Sequence, residues 1–264
     1  MKRLTLFLKG NVDVHDSLHS CRVGGKLAWN GINEVLRTKH PSCVARIKHE
    51  TWTRSDALLQ ANGTAPKSLT SRGLSLGSYP LESQFSRALF EVEADAIILS
   101  IQADLTTSLV KHREEGFLFY PSEIEQWSMD DRQWFKTDFE RTGHLSLPEF
   151  LANMTAIVAK IRERSDVPIL LYNMSAVVPG ETIHCHQGFD EAYSTRIRKF
   201  NLGLIDLSER TGISIIDIDS VLARKGTDAF KIDALHLTPP GYRLVAEEVV
   251  RVLDDLGLFA GEQE

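Results

Sequence analysis

The stretch "DALHLTPPGYRLVAEEV", residues 233–249, is the most informative in the chain. Asp233 and His236 stand three residues apart ahead of a Pro-Pro-Gly step, so one loop can hold both side chains at one edge of a sheet. In acyl-transfer chemistry a carboxylate fixes the tautomer of an imidazole, and the imidazole takes the proton of an attacking hydroxyl. The pair is therefore a candidate catalytic dyad. Without context, an Asp and a His at this spacing more often cap a turn and fill a loop. The residues that follow repeat apolar side chains at helical spacing, with Pro240 where a helix starts and Gly257 where it stops.

Upstream, short runs rich in Val, Ile and Leu recur at 4–8, 43–49, 95–101, 167–174 and 213–218. They are apolar on both faces, as strands covered by helices on both sides must be. Between them, 30–40, 82–93, 146–165 and 193–212 carry apolar residues near helical spacing. Strands that alternate with helices predict a single α/β domain over 1–264, a doubly wound parallel sheet of about five strands with helices on both faces. Two longer segments interrupt the alternation. The first, 59–80, is rich in Gly, Ser and Pro; the second, 111–139, concentrates aromatic and charged residues. Long connections of this kind serve as lids or binding loops, or simply as surface insertions. Phe117, Phe119, Tyr120, Trp127 and Trp134 can form a pocket wall there or cover core.

Composition narrows the partners. The 264 residues are 42% hydrophobic and 25% charged, with no apolar run long enough to cross a bilayer. The N-terminal apolar stretch is broken by Lys9, Gly10 and Asn11, so it reads as a core strand and not as a signal peptide. Cys21, Cys43 and Cys185 are odd in number and widely spaced, which fits reduced thiols and the cytoplasm. A net charge of −6 without a long basic run leaves no footprint for nucleic acid or an anionic membrane. The expected partner is a small molecule. His184 and His186 flank Cys185, but no further ligands are spaced with them, and no glycine pattern fits a nucleotide loop, so neither a metal nor a cofactor is expected.

The run Asp233, His236, Leu237, Pro239, Gly241, Tyr242 and the helix after it resembles the last motif of the SGNH/GDSL hydrolase superfamily. The upstream segments at 150–180 and 200–218 are similar to its preceding helices and strands in order. The resemblance implies a three-layer α/β fold and a serine esterase, acyl hydrolase or acyltransferase acting on a small polar ester. His236 would be the base and Asp233 its orienting acid.

The family's first motif is Gly-Asp-Ser-Leu, with Ser as nucleophile, and this chain has His15-Asp16-Ser17-Leu18. Trp29 stands at a spacing compatible with the Trp often found at the family's first helix. This register makes Ser17 the nucleophile and absorbs Gly10 and Asn11 as a bulge in the first strand. A competing register ends the strand at Gly10-Asn11-Val12, puts Val12 in the nucleophile position and leaves Ser17 a turn hydroxyl bonded to nearby backbone.

The middle motifs depart further. Arg54 stands about where the family has an oxyanion-hole Gly, and Gln102, Ala103 and Asp104 stand where it has Gly-x-Asn-Asp. Each preorganised oxyanion donor is worth about 3 kcal/mol, so replacements are needed. Arg54, Gln102 and Asn11 are the candidate oxyanion or substrate-binding residues. A site-facing Arg54 would favour an anionic substrate. Its alternative is an ion pair with Glu50 or Asp56, and that of Gln102 is packing at a strand end.

Overall fold

A computed structural model of the chain describes residues 1–181 and 188–260. In chain order the elements begin with β1 (Lys2–Lys9), α1 (Val12–Leu18), β2 (Cys21–Val23), β3 (Lys26–Trp29), α2 (Ile32–Lys39) and β4 (Cys43–Glu50). Next come α3 (Ser55–Gln60), α4 (Lys67–Thr70), α5 (Leu81–Gln84), β5 (Ala96–Ser100), α6 (Gln102–Thr106), β6 (Val110–His112), β7 (Leu118–Phe119) and α7 (Met129–Asp138). The chain continues with β8 (Phe139–Arg141), α8 (Leu147–Arg162), β9 (Ile169–Tyr172), α9 (Tyr193–Thr211), β10 (Ser214–Ile216), α10 (Ile218–Ala223) and α11 (Pro239–Asp255).

The residues fall into two compact units. One comprises 1–49, 93–102 and 165–264, the other 50–92 and 103–164. The segments at 59–80 and 111–139 that the sequence sets apart both lie in the second.

The first unit is built on a five-stranded sheet in the order β10-β9-β5-β1-β4, the doubly wound α/β arrangement that the alternating pattern predicts. β1 pairs with β5, β5 with β9 and β9 with β10, all in parallel. Every residue of β5 and β9 is buried, which is why these strands read as unbroken apolar runs. On one face, α1, α2 and α11 bury Val14, Leu18, Ile32, Leu36, Val245 and Val249 against Leu4, Leu6 and Leu8. The order places the topological switch point between β1 and β5, where such sheets bind ligands outside the carboxyl ends of their strands.

Three local readings are corrected. Residues 82–93 are not one helix but α5 and a 3₁₀ turn at Ala88–Phe90. Ser86 interrupts it, because its hydroxyl accepts from Ala88 N at 3.0 Å and offers the backbone an alternative to the helical ladder. The last helix opens at Pro239, one residue early, since Thr238 is the cap and its hydroxyl accepts from Gly241 N. Gly10 and Asn11 do not form a bulge within β1; they make the bend between β1 and α1, and Val12 opens the helix.

The second unit has its own core. A small sheet in the order β7-β6-β8 packs Phe119, Trp127 and Phe139 with Leu69, Leu76 and Phe85. The two inserted segments hold each other: Trp127 Nε1 donates to Ser75 O at 2.8 Å and Arg72 pairs with Asp131 at 2.8 Å. Phe119 and Trp127 are core residues with Phe117 and Trp134 partly buried around them, while Tyr120 packs against Ala57, Leu109 and Leu118. Cys21 and Cys43 are buried free thiols. Among the described residues no helix is long and apolar enough to cross a membrane.

Gly10 is required by close approach. A Cβ there would lie 2.0 Å from Val14 Cγ2 and 3.3 Å from Ser100 Cβ, and Val14 is itself fully buried. Gly10→Ala is expected to lower stability by about 1–3 kcal/mol through overpacking, read as a fall in the urea midpoint at unchanged slope.

Candidate active site

In the first unit, residues from four loops meet where β1, β5 and β9 end. Ser100, the last residue of β5, donates its hydroxyl to Asp13 Oδ2 in the first turn of α1, so the bond spans the switch point. Ser100 Oγ also accepts from Gln102 N at 3.0 Å, and Gln102 Nε2 donates to Leu235 O at 3.4 Å. Gln102, buried at the strand end, thus reaches the loop that carries the dyad. Asp13, Gln102, Asn173, Ser175, Lys231 and Leu235 border a cavity of about 20 Å³, room for one water-sized group.

Asp233 and His236 meet, as their spacing predicts. His236 Nδ1 lies 2.9 Å from Asp233 Oδ1 and 2.8 Å from Oδ2. Asp233 Oδ1 also accepts from the backbone N–H groups of Leu235 and His236, both at 2.8 Å. Partial burial works against the charge of Asp233, but these hydrogen bonds prevail and hold its carboxyl below the ordinary carboxylate range. With Asp233 ionised, the imidazole proton sits on Nδ1 and Nε2 is left as an acceptor. Both side chains are about half exposed, so a solute can reach them.

Lys231 anchors the loop. It is almost fully buried, and its ammonium donates to Val177 O at 2.6 Å and to Ser175 O and Ala234 O, each at 3.3 Å. The post-β9 segment and the dyad loop are therefore tied to one cation. Burial lowers its pKa to about 8 despite the pull of Asp219, Asp233 and Glu181. At the other end of the loop, a Cβ on Gly241 would lie 2.8 Å from Phe230 O, so glycine permits the close turn into α11.

Ser17 is placed differently from the nucleophile expectation. It is fully buried in α1, its hydroxyl donates to Asp13 O at 2.6 Å, and it lies 3.1 Å from Tyr172 Oη. The hydroxyl is committed to the preceding turn of its own helix, the behaviour of a mid-helix serine. Trp29 is beside it, with Nε1 donating to Ser17 O at 2.9 Å. Val12, half-buried, stands at the start of the helix, so the arrangement follows the competing register. Asn11 is the residue before α1, and its carbonyl accepts from His15 N at 3.0 Å; its side chain does not cap the helix.

Arg54, in the second unit, does not present a free fork. It is 2% exposed, and Nε and Nη2 donate to Asp56 Oδ1 and Oδ2 at 2.8 and 2.7 Å. Nη1 donates to Gly143 O and Thr107 O at 2.7 and 3.3 Å, and Nη2 also to Thr142 Oγ1 at 3.2 Å. All its N–H groups are used inside the fold, so the pairing with Asp56 replaces the substrate-facing reading and removes the basis for an anionic substrate. Next to it, Asp104 is fully buried and accepts from Ser55 N at 2.8 Å. The run His184-Cys185-His186 lies outside the described residues.

Two participants escape the sequence reading. Asp13 is one residue past Val12, and its Oδ1 is buried without a hydrogen-bond partner. Burial, opposed by the Ser100 hydrogen bond, pushes its carboxyl above the ordinary range. Lys231 has only a weak signal, a lysine two residues before the dyad aspartate.

Two outcomes follow for the second unit. Arg54→Ala should cost about 3 kcal/mol by orphaning Asp56 and removing the donors to Thr107 O and Gly143 O, and Arg54→Lys nearly as much, because one ammonium cannot replace the planar fork. Chemical denaturation of both variants checks this. Burial raises the Asp104 pKa from 3.8 to about 7, so between these values the folded state holds a proton that the unfolded chain has lost. Stability is full below the lower value and falls as pH rises through the higher one. Asp104→Asn should remove a stability loss on the order of 3 kcal/mol between about pH 5 and about pH 8, visible as a flatter plot of urea midpoint against pH.

No protein-family model and no curated protein matches the chain. Solved structures do. Axe2, an acetylxylan esterase from Geobacillus stearothermophilus, is similar at 12% identity and a TM-score of 0.50, over 94% of this chain and 93% of its own. LAE5, an alpha/beta hydrolase enzyme from the metagenome of Lake Arreo, Spain, is similar at 12% identity and a TM-score of 0.50, over 98% and 97%. At this identity the likeness is one of fold. Taken with the sheet order and the motif at 233–242, it gives the chain an SGNH/GDSL-hydrolase-like fold.

Proposed function

We propose that this chain is a hydrolase for an acyl derivative of a small polar molecule, with His236 as general base, Asp233 as its orienting acid and water as the attacking group. The observation that carries this reading is the imidazole held by both carboxylate oxygens of Asp233, with Nε2 left to accept a proton. In the reaction, Nε2 takes a proton from water as its oxygen bonds to the acyl carbon. Collapse of the tetrahedral intermediate breaks the bond to the leaving oxygen, which receives that proton from His236, giving acid and alcohol. The sealed hydroxyl of Ser17 supports a route without a serine acyl-enzyme. A neighbour in fold that acts on acetylxylan makes short acyl esters the first substrates to test.

Val12 at the head of α1 favours a second reading, a catalytically altered SGNH-fold protein that binds its ligand without hydrolysing it. Turnover of p-nitrophenyl acetate and acetylated oligosaccharides separates the two. The first reading expects turnover that falls by about 10² to 10⁴ in His236→Ala and stays within about twofold in Ser17→Ala. It also expects no adduct on Ser17 after fluorophosphonate treatment of the folded protein. An adduct on Ser17 would restore the serine mechanism, and wild-type rates equal to the buffer blank would leave the binding reading.

A further inference from the structure

The second unit contains a cavity of about 360 Å³, within the range of small-molecule sites. Val110, Phe135 and Phe139 give it an apolar floor, with the two rings 5.3 Å apart. Arg132 and Lys136 from α7 and Arg141 from β8 line it as well. Local geometry explains the grouping. Arg132, Phe135 and Lys136 follow the spacing that shares one face of α7, and Phe139 and Arg141 are two apart on β8 and so share a side.

The charges are not balanced from within. Glu140 also borders the cavity, but it pairs with Arg113 at 3.2 Å. Among the described residues, no carboxylate lies within ion-pair distance of Arg132, Lys136 or Arg141, and Arg132 Nε is buried without a hydrogen-bond partner. A guanidinium offers a planar fork that matches a carboxylate, and the aromatic floor offers area to an apolar body.

We propose that this cavity binds a small amphipathic carboxylate. Its apolar part rests on Val110, Phe135 and Phe139, and its carboxylate accepts from Arg132, with Lys136 and Arg141 adding charge. The site is independent of the dyad chemistry.

Isothermal titration calorimetry of the full chain with 1-naphthoate, against neutral 1-naphthamide, tests it. The expected result is saturable one-site binding of naphthoate below about 1 mM, with the amide weaker by about tenfold or more, as the loss of a charge-assisted pair implies. Arg132→Gln and Lys136→Gln should each weaken naphthoate and leave the amide unchanged; Phe135→Ala should weaken both. Melting temperatures of the variants verify that they are folded. His236→Ala should bind naphthoate as the wild type does. Equal affinity for acid and amide, no saturation up to about 5 mM, or loss of binding in His236→Ala would overturn the proposal.

Discussion

The hydrogen bond from Ser100 to Asp13 closes the sheet at its switch point, and the rest of the first unit's site is arranged around it. β1 and α1 can make this approach only because residue 10 lacks a Cβ, which would collide with Val14. Once α1 is docked at that depth, its inward face is set by helical geometry: Asp13, Val14, Ser17 and Leu18 are all buried. The same constraint that aligns the two strand ends therefore removes the Ser17 hydroxyl from solvent. A serine cannot serve both as a buried helix residue tied to Asp13 O and Tyr172 Oη and as a nucleophile for a solute.

The dyad loop is held by a different kind of force. Lys231 is a buried cation with three carbonyl acceptors, one of them in the loop itself. Burying an ammonium costs several kcal/mol, so the arrangement persists only because those dipoles and nearby carboxylates return that energy. The result is a loop whose Asp233 is pinned by two backbone N–H groups, leaving the carboxylate oxygens fixed against His236. Asp13 borders the small cavity together with Leu235 of that loop, and its burial favours the uncharged acid. A carboxyl held low and a carboxyl pushed high thus occupy the same unit for opposite reasons, hydrogen bonding in Asp233 and desolvation in Asp13.

The second unit shows where Arg54, one of the candidate oxyanion donors, directs its guanidinium. Arg54 spends its donors on Asp56, Gly143, Thr107 and Thr142, and Asp104 accepts from the backbone of the residue next to Arg54. These bonds tie the segment before α3 to the ends of the paired strands β6 and β8. The inserted segments add an aromatic core under the β7-β6-β8 sheet, and Arg132, Lys136 and Arg141 gather around one cavity of this unit.

The alternation of strands and helices and the meeting of Asp233 with His236 were legible in the chain because both are local. Strands buried on two faces must be apolar throughout, helices must repeat at their own period, and an Asp three residues before a His in one loop is close enough to meet it. The interruption at Ser86 and the early start of α11 at Pro239 turned on single side-chain hydrogen bonds that periodicity does not register. The roles of Ser17 and Arg54 were beyond local reading for a larger reason. Asp-Ser-Leu and a lone Arg at the right distance are the same letters whether their polar atoms face solvent or a buried partner. Packing alone decided this: Gly10 set how deeply α1 sits, and acceptors as far along the chain as Thr142 and Gly143 claimed the guanidinium of Arg54.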